Sequence, residues 1–106
     1  MKLFEERQIF EAYDYAASGG QALHLFFGPG AYPDMPACFK RSRQAAHLID
    51  YDIDRLRLTA SGLGVRRIVV CRVGARGQHI DLCGWPLTKA LCIARSVNSV
   101  PSVAKE

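Results

Sequence analysis

Residues 66–83 constrain the fold most. The run Arg66-Arg67-Ile68-Val69-Val70-Cys71-Arg72-Val73 is β-branched and apolar and reads as a strand. Gly74-Ala75-Arg76-Gly77 is a turn, and residues 78–83 alternate polar and apolar as a returning strand. The pattern predicts a hairpin in which Val73 faces Gln78, Arg72 faces His79 and Val70 faces Asp81. One face then carries Val69, Cys71, Val73, Ile80 and Leu82, and the other gathers Arg72, His79 and Asp81. A slip of one residue mixes the two sets, which favours this register.

Apolar periodicity places the other elements. Ile9, Phe10, Tyr13, Ala16 and Ala17 share one face of a helix over 3–18, closed by Gly19-Gly20. Residues 21–27 read as a buried strand, with Ala22, His24 and Phe26 on one side and Leu23, Leu25 and Phe27 on the other. Cys38, Ser42, Ala45 and Ile49 suggest a second helix over 37–48, whose outer face carries Lys40, Arg43 and His47. Asp52 is a suitable N-cap for a third helix containing Ile53, Leu56, Ala60 and Leu63, ended by Gly62 or Gly64. Pro86 suits the first turn of a last helix with Leu87, Ala90, Leu91 and Ala94 as its stripe.

The predicted order is α-β-α-α-β-β-α. This is an α/β (α+β) protein with a small mixed three-stranded sheet packed by four helices. Residues 1–96 form one domain, and 97–106 read as a loose tail. The core is modest for 106 residues, so dimerisation is a ready way to extend it.

Charge is unevenly distributed. Residues 40–76 hold nine basic side chains against Asp50, Asp52 and Asp54, a net +6 within a chain of net +4. Such a segment attracts anions at range. No apolar run reaches the length of a membrane span, and the charged start Met1-Lys2-Leu3-Phe4-Glu5-Glu6-Arg7 is unlike a secretory leader, so a cytoplasmic address is expected. Cys38, Cys71, Cys83 and Cys92 form no Cys-x-x-Cys pair and are expected to be free thiols. Neither phosphate-loop glycine pattern is present, and no cofactor is implied.

Two functions fit these residues. The first is a binding or interaction module that uses the basic middle, with Lys40, Arg41, Arg43, Arg66 and Arg67 as anion contacts. Its partner would be an anionic ligand, a nucleic acid or another protein, a second copy included. The alternative is a small enzyme. His79 would be its acid/base, Asp81 the group orienting the ring and Arg72 an anion clamp, with His47 a further participant. Ligand chemistry also allows a metal site from His47, Asp50 or Asp52, His79 and Asp81. No spacing demands one, and the expectation from sequence is none.

Four stretches carry a family resemblance: Ala46-His47-Leu48-Ile49-Asp50-Tyr51-Asp52-Ile53-Asp54-Arg55-Leu56, Gly62-Leu63-Gly64-Val65-Arg66-Arg67, Gln78-His79-Ile80-Asp81-Leu82 and Lys89-Ala90-Leu91. Over residues 46–94 the chain resembles a family of small bacterial proteins classed as a domain of unknown function, with His-Leu and His-Tyr-Asp-Leu motifs. Ile80 stands here in place of the Tyr. The resemblance implies a bacterial, cytoplasmic α/β protein in which His47, Asp50 or Asp52, His79 and Asp81 are the positions to watch.

Overall fold

A computed structural model describes residues 1–28, 39 and 41–104, with side chains as far as residue 96. Among these residues the chain runs β1 (Lys2–Phe4), a 3-10 turn (Glu6–Gln8), α1 (Ile9–Ala17), β2 (Gln21–Phe27), β3 (Gln44–Asp50), α2 (Ile53–Gly62), β4 (His79–Leu82) and α3 (Gly84–Ala104). The strands form one mixed sheet in the order β1-β2-β3-β4. β1 and β2 are parallel, joined through α1, and the other two pairings are antiparallel. The class is α+β. The architecture is a four-stranded sheet with three helices, which corrects the expected three strands and four helices.

The correction has three parts. Lys2-Leu3-Phe4 is a strand of only three residues, too short to show a period of its own beside the helical pattern after it. The segment Gln44–Asp50, expected to lie in a helix over 37–48, is a strand. Its alanines favour a helix, but its place between β2 and β4 decides the matter: Ala45, Ala46, Leu48 and Ile49 are all buried against both faces of the sheet. The amino-terminal part of that expected helix, with Cys38 and Lys40, lies outside the described residues.

The third part concerns the hairpin. Residues 66–73 form no strand. Their backbone pairs with β4 only through a bridge between Cys71 and His79, with reciprocal N–H···O bonds of 2.8 and 3.0 Å. Arg72, next along, has φ 58°, so the extended backbone stops there. Cys71, not Arg72, is therefore opposite His79. Val69 and Val73, expected in the core, are 54% and 63% exposed. The long partner of β4 is β3, with Ile49 opposite His79 and His47 opposite Asp81.

Alternation along β2, β3 and β4 separates the two faces of the sheet. Leu23, Leu25, Ala46, Leu48, Ile80 and Leu82 face α2 and α3, meeting Leu56, Ala60, Leu87, Ala90 and Ala94. Each fully buried leucine there contributes roughly 1.5–3 kcal/mol. Phe4, Ala22 and Ile49 face α1, meeting Ala12 and Ala16. Asp52 caps α2, its Oδ1 accepting from the Arg55 N–H at 3.0 Å, as its sequence position suggests. Gly19, at φ 102°, closes α1 and donates to the Ala16 carbonyl at 3.0 Å. Among the described residues no helix is long and apolar enough to cross a membrane.

Candidate functional site

The face that meets α1 also carries the polar cluster. Strand pairing sets Phe4, His24, His47 and Asp81 in one row across all four strands, because Phe4 lies opposite His24, His24 opposite His47, and His47 opposite Asp81. His79 precedes Asp81 by two residues on β4 and so points to the same side. Cross-strand neighbours on one face lie about 4.5–5.5 Å apart at Cβ, so side chains in such a row touch.

His47 Nδ1–H donates to Asp81 Oδ1 at 2.9 Å, and His79 Nε2 lies 3.3 Å from the same oxygen. The two rings meet edge to face with centroids 4.6 Å apart, and Phe26 stacks on the other side of His47 at 4.3 Å. His47 is thus held in orientation by packing as well as by its hydrogen bond. The three polar side chains remain partly accessible, at 25% for His47, 15% for His79 and 23% for Asp81.

The second nitrogen of His79 fixes its chemistry. Nδ1 lies 2.7 Å from the Gly77 carbonyl, an acceptor only, so Nδ1 carries a hydrogen. A neutral His79 then turns the Nε2 lone pair toward a carboxylate. That arrangement is repulsive unless a proton or another cation lies between them. Burial opposes charge on His79, but the hydrogen bonds to Asp81 and Gly77, together with the charge of Asp81, outweigh it and raise the pKa. For Asp81, burial favours the neutral acid, yet the hydrogen bonds from His47 and His79 hold the carboxyl well below the usual carboxylate range.

His24, in the strand expected to be buried, is central and buried but only half satisfied. Its Nε2–H donates to the Glu6 carbonyl at 2.7 Å, while Nδ1 is buried with no partner. Burial is the main cause of its lowered pKa, and the neighbouring His47 adds to it.

The other sequence candidates are placed as follows. Asp50 is on the opposite face of the sheet, fully buried, where Gln21 and the Arg55 fork bind it. Asp52 is the α2 cap. Neither joins the cluster, so the metal set that included them shrinks to His47, His79 and Asp81, whose ligand atoms all lie within 4.8 Å of one another. Arg72 does not stand across from His79 on an extended strand, but its left-handed backbone brings Nη1 to Gly77, within 3.3 Å of where a Cβ there would lie. Arg41, Arg43, Arg66 and Arg67 are exposed, and Lys40 lies outside the described residues. Of the basic middle, Arg55 is bound to Asp50, and Arg76 pairs with Asp14 at 3.3 Å and lies over the Phe10 and Tyr13 rings. Cys71, Cys83 and Cys92 are free thiols.

His47 is the member that sequence reasoning misplaced, on the outside of a helix. Reading residues 44–50 at period two puts His47 beside Ala45 and Ile49 on one face, and that was the available signal. Two surface clefts lie elsewhere. One, of about 390 Å³, is lined by Glu5, Glu6, Arg7, Leu25 and Phe27, and the other, of about 240 Å³, by Ala17, Tyr51, Gly74, Ala75, Arg76 and Gln78. Comparison with family models, with curated proteins and with solved structures finds no match.

Proposed function

We propose that this protein binds one divalent transition-metal ion through His47 Nδ1, His79 Nε2 and Asp81 Oδ1, and that it is a small metal-dependent hydrolytic enzyme. The carrying observation is the approach of both imidazole donors to the same carboxylate oxygen, with all three donor atoms within 4.8 Å of one another. With metal–ligand bonds of about 2.1 Å, adjacent ligands are about 3.0 Å apart at a right angle and about 3.4 Å apart at the tetrahedral angle. The two edges that meet at Asp81 Oδ1 measure 2.9 and 3.3 Å. An ion would replace the proton that otherwise separates the His79 lone pair from the carboxylate.

The Gly77 carbonyl supports the same reading. Histidines that bind metal donate their other ring N–H to a carbonyl or carboxylate, which fixes the tautomer, and His79 does so at 2.7 Å. Two imidazoles and a carboxylate suit zinc, iron(II), cobalt(II) or manganese(II) better than calcium. Three protein ligands leave coordination positions for water and substrate, as in catalytic rather than structural zinc sites. When bound, such an ion supplies a Lewis acid and activates water near neutral pH. A metal-free acid–base couple fits less well, because both His79 nitrogens already face acceptors. His47, His79 and Asp81 are also among the positions that the family resemblance marks.

Calorimetric titration of the metal-free chain with Zn²⁺ tests the proposal. The expected result is one equivalent per chain, abolished in His79→Ala and weakened at least tenfold in Asp81→Asn, with far-UV circular dichroism unchanged. No binding by the folded wild-type chain, or equal binding by the variants, overturns it.

A further inference from the structure

We infer that the loop after α2 and the first turns of α3 form a binding surface for single-stranded nucleic acid, in which Trp85 stacks on a base while Lys89, Arg66 and Arg67 contact phosphates. Both elements pack on the face of the sheet opposite His47, His79 and Asp81, and the inference does not rest on the metal reading. Trp85, the one tryptophan of the chain, stands 75% exposed in the first turn of α3. Lys89 is four residues further on and so lies on the same side of the helix. Its Nζ reaches across to the loop, 3.8 Å from where a Cβ on Gly64 would lie. Arg66 and Arg67 follow Gly64 by two and three residues, so their Cα atoms lie within about 7 and 11 Å of it.

Charge singles this surface out. Between Asp54 and Glu106 the sequence holds one acidic residue, Asp81, and its carboxylate is engaged by two histidines on the other face of the sheet. Lys89, Arg66 and Arg67 are exposed. Among the described residues none of the three makes an ion pair, whereas Arg55 and Arg76 are bound to Asp50 and Asp14. Cations without counter-ions attract an anionic partner. The indole decides which one. A small anion makes no use of a flat aromatic face, and a duplex hides the faces of its bases in its own stack. A single strand offers a base to the indole and phosphates to the neighbouring cations together.

The test titrates the chain, with a metal chelator present, with an oligothymidylate of about 12 nucleotides. Trp85 fluorescence reads binding by wild type, and anisotropy of the dye-labelled oligonucleotide reads the variants. Wild type is expected to bind saturably with quenching of its tryptophan. The logarithm of its affinity should fall against the logarithm of salt with a slope of about −2, the value for three phosphate contacts on a single strand. Trp85→Ala should weaken binding about tenfold at the same slope. The double variant Arg66→Gln/Arg67→Gln should bring the slope to about −0.7. All three positions are exposed, so the variants keep the fold. The duplex of the same length, and vesicles of phosphatidylserine and phosphatidylcholine, are titrated in parallel. Absence of saturable binding to the oligonucleotide at low salt, unchanged affinity in the variants, or tighter binding of the duplex or the vesicles overturns the inference. Zinc titration of the same chain is unaffected by any of these results, so the two readings fail separately.

Discussion

Replacing Asp50 or Arg55 separates the residues that hold the sheet from those that hold the site. The Asp50 carboxylate is 0% exposed. It accepts from Arg55 Nε at 2.6 Å, Arg55 Nη2 at 2.8 Å, Gln21 Nε2 at 2.9 Å and the Asp52 N–H at 2.9 Å. The Arg55 side chain is 44% exposed and also donates to the Gly19 and Gly20 carbonyls. The two deletions are therefore unequal. Asp50→Ala removes the buried charge and leaves a guanidinium that water can reach, at a cost of about 3 kcal/mol. Arg55→Met leaves the carboxylate buried with its two weaker donors, at a cost of about 3–5 kcal/mol. With a urea dependence of about 1.5 kcal/mol per molar, the Asp50→Ala midpoint falls by about 2 M and the Arg55→Met midpoint by more. Metal affinity in the folded variants stays at the wild-type value, because Asp50 lies on the opposite face of the sheet. An Asp50→Ala midpoint within about 0.3 M of wild type, or a larger cost for Asp50→Ala than for Arg55→Met, refutes the reasoning.

Gly77→Ala places a β-carbon at φ 84° and 3.1 Å from the Tyr13 ring, which costs about 1–2 kcal/mol in a thermal melt. By shifting the carbonyl that orients His79, it also weakens metal binding about tenfold to a hundredfold by calorimetry. Arg72→Gly relieves about 1–2 kcal/mol of left-handed strain and adds about 0.5–1 kcal/mol of chain entropy to the unfolded state, so its urea midpoint should rise slightly. In the metal-free chain the raised pKa of His79 contributes stability that is complete below the ordinary value of 6.5 and lost as pH rises through the folded pKa. The lowered pKa of Asp81 contributes stability that is present above the ordinary value of 3.8 and lost as pH falls through its folded pKa. Urea midpoints of metal-free protein should therefore peak between these two values, and Asp81→Asn should flatten the peak.

Much of the chain is legible from local pattern. β2, α1 within the longer predicted helix, the Asp52 cap and the α3 stripe all rest on interactions within a few residues, and the structure has them. What escaped depends on partners far away in sequence. Gln44–Asp50 has helix-forming alanines, and only its burial between β2 and β4 makes it a strand. Residues 66–73 have the composition of a strand and lie along the outer edge of β4, but they pair with it only at Cys71, and the left-handed backbone at Arg72 stops the extension there. The site divides in the same way. His79 and Asp81 share a face by strand alternation alone, which needs no knowledge of the partner strand. His47 enters only through the β3–β4 register.

Nitrogen-15 NMR of the histidine rings during Zn²⁺ addition tests the central claim most directly, because it resolves which nitrogen binds. The account predicts that His47 Nδ1 and His79 Nε2 move to metal-bound shifts at one equivalent, that His79 Nδ1–H keeps its hydrogen bond to Gly77, and that His24 is unmoved. Unchanged shifts for His47 and His79 at saturating zinc, or coordination through His79 Nδ1, would contradict it.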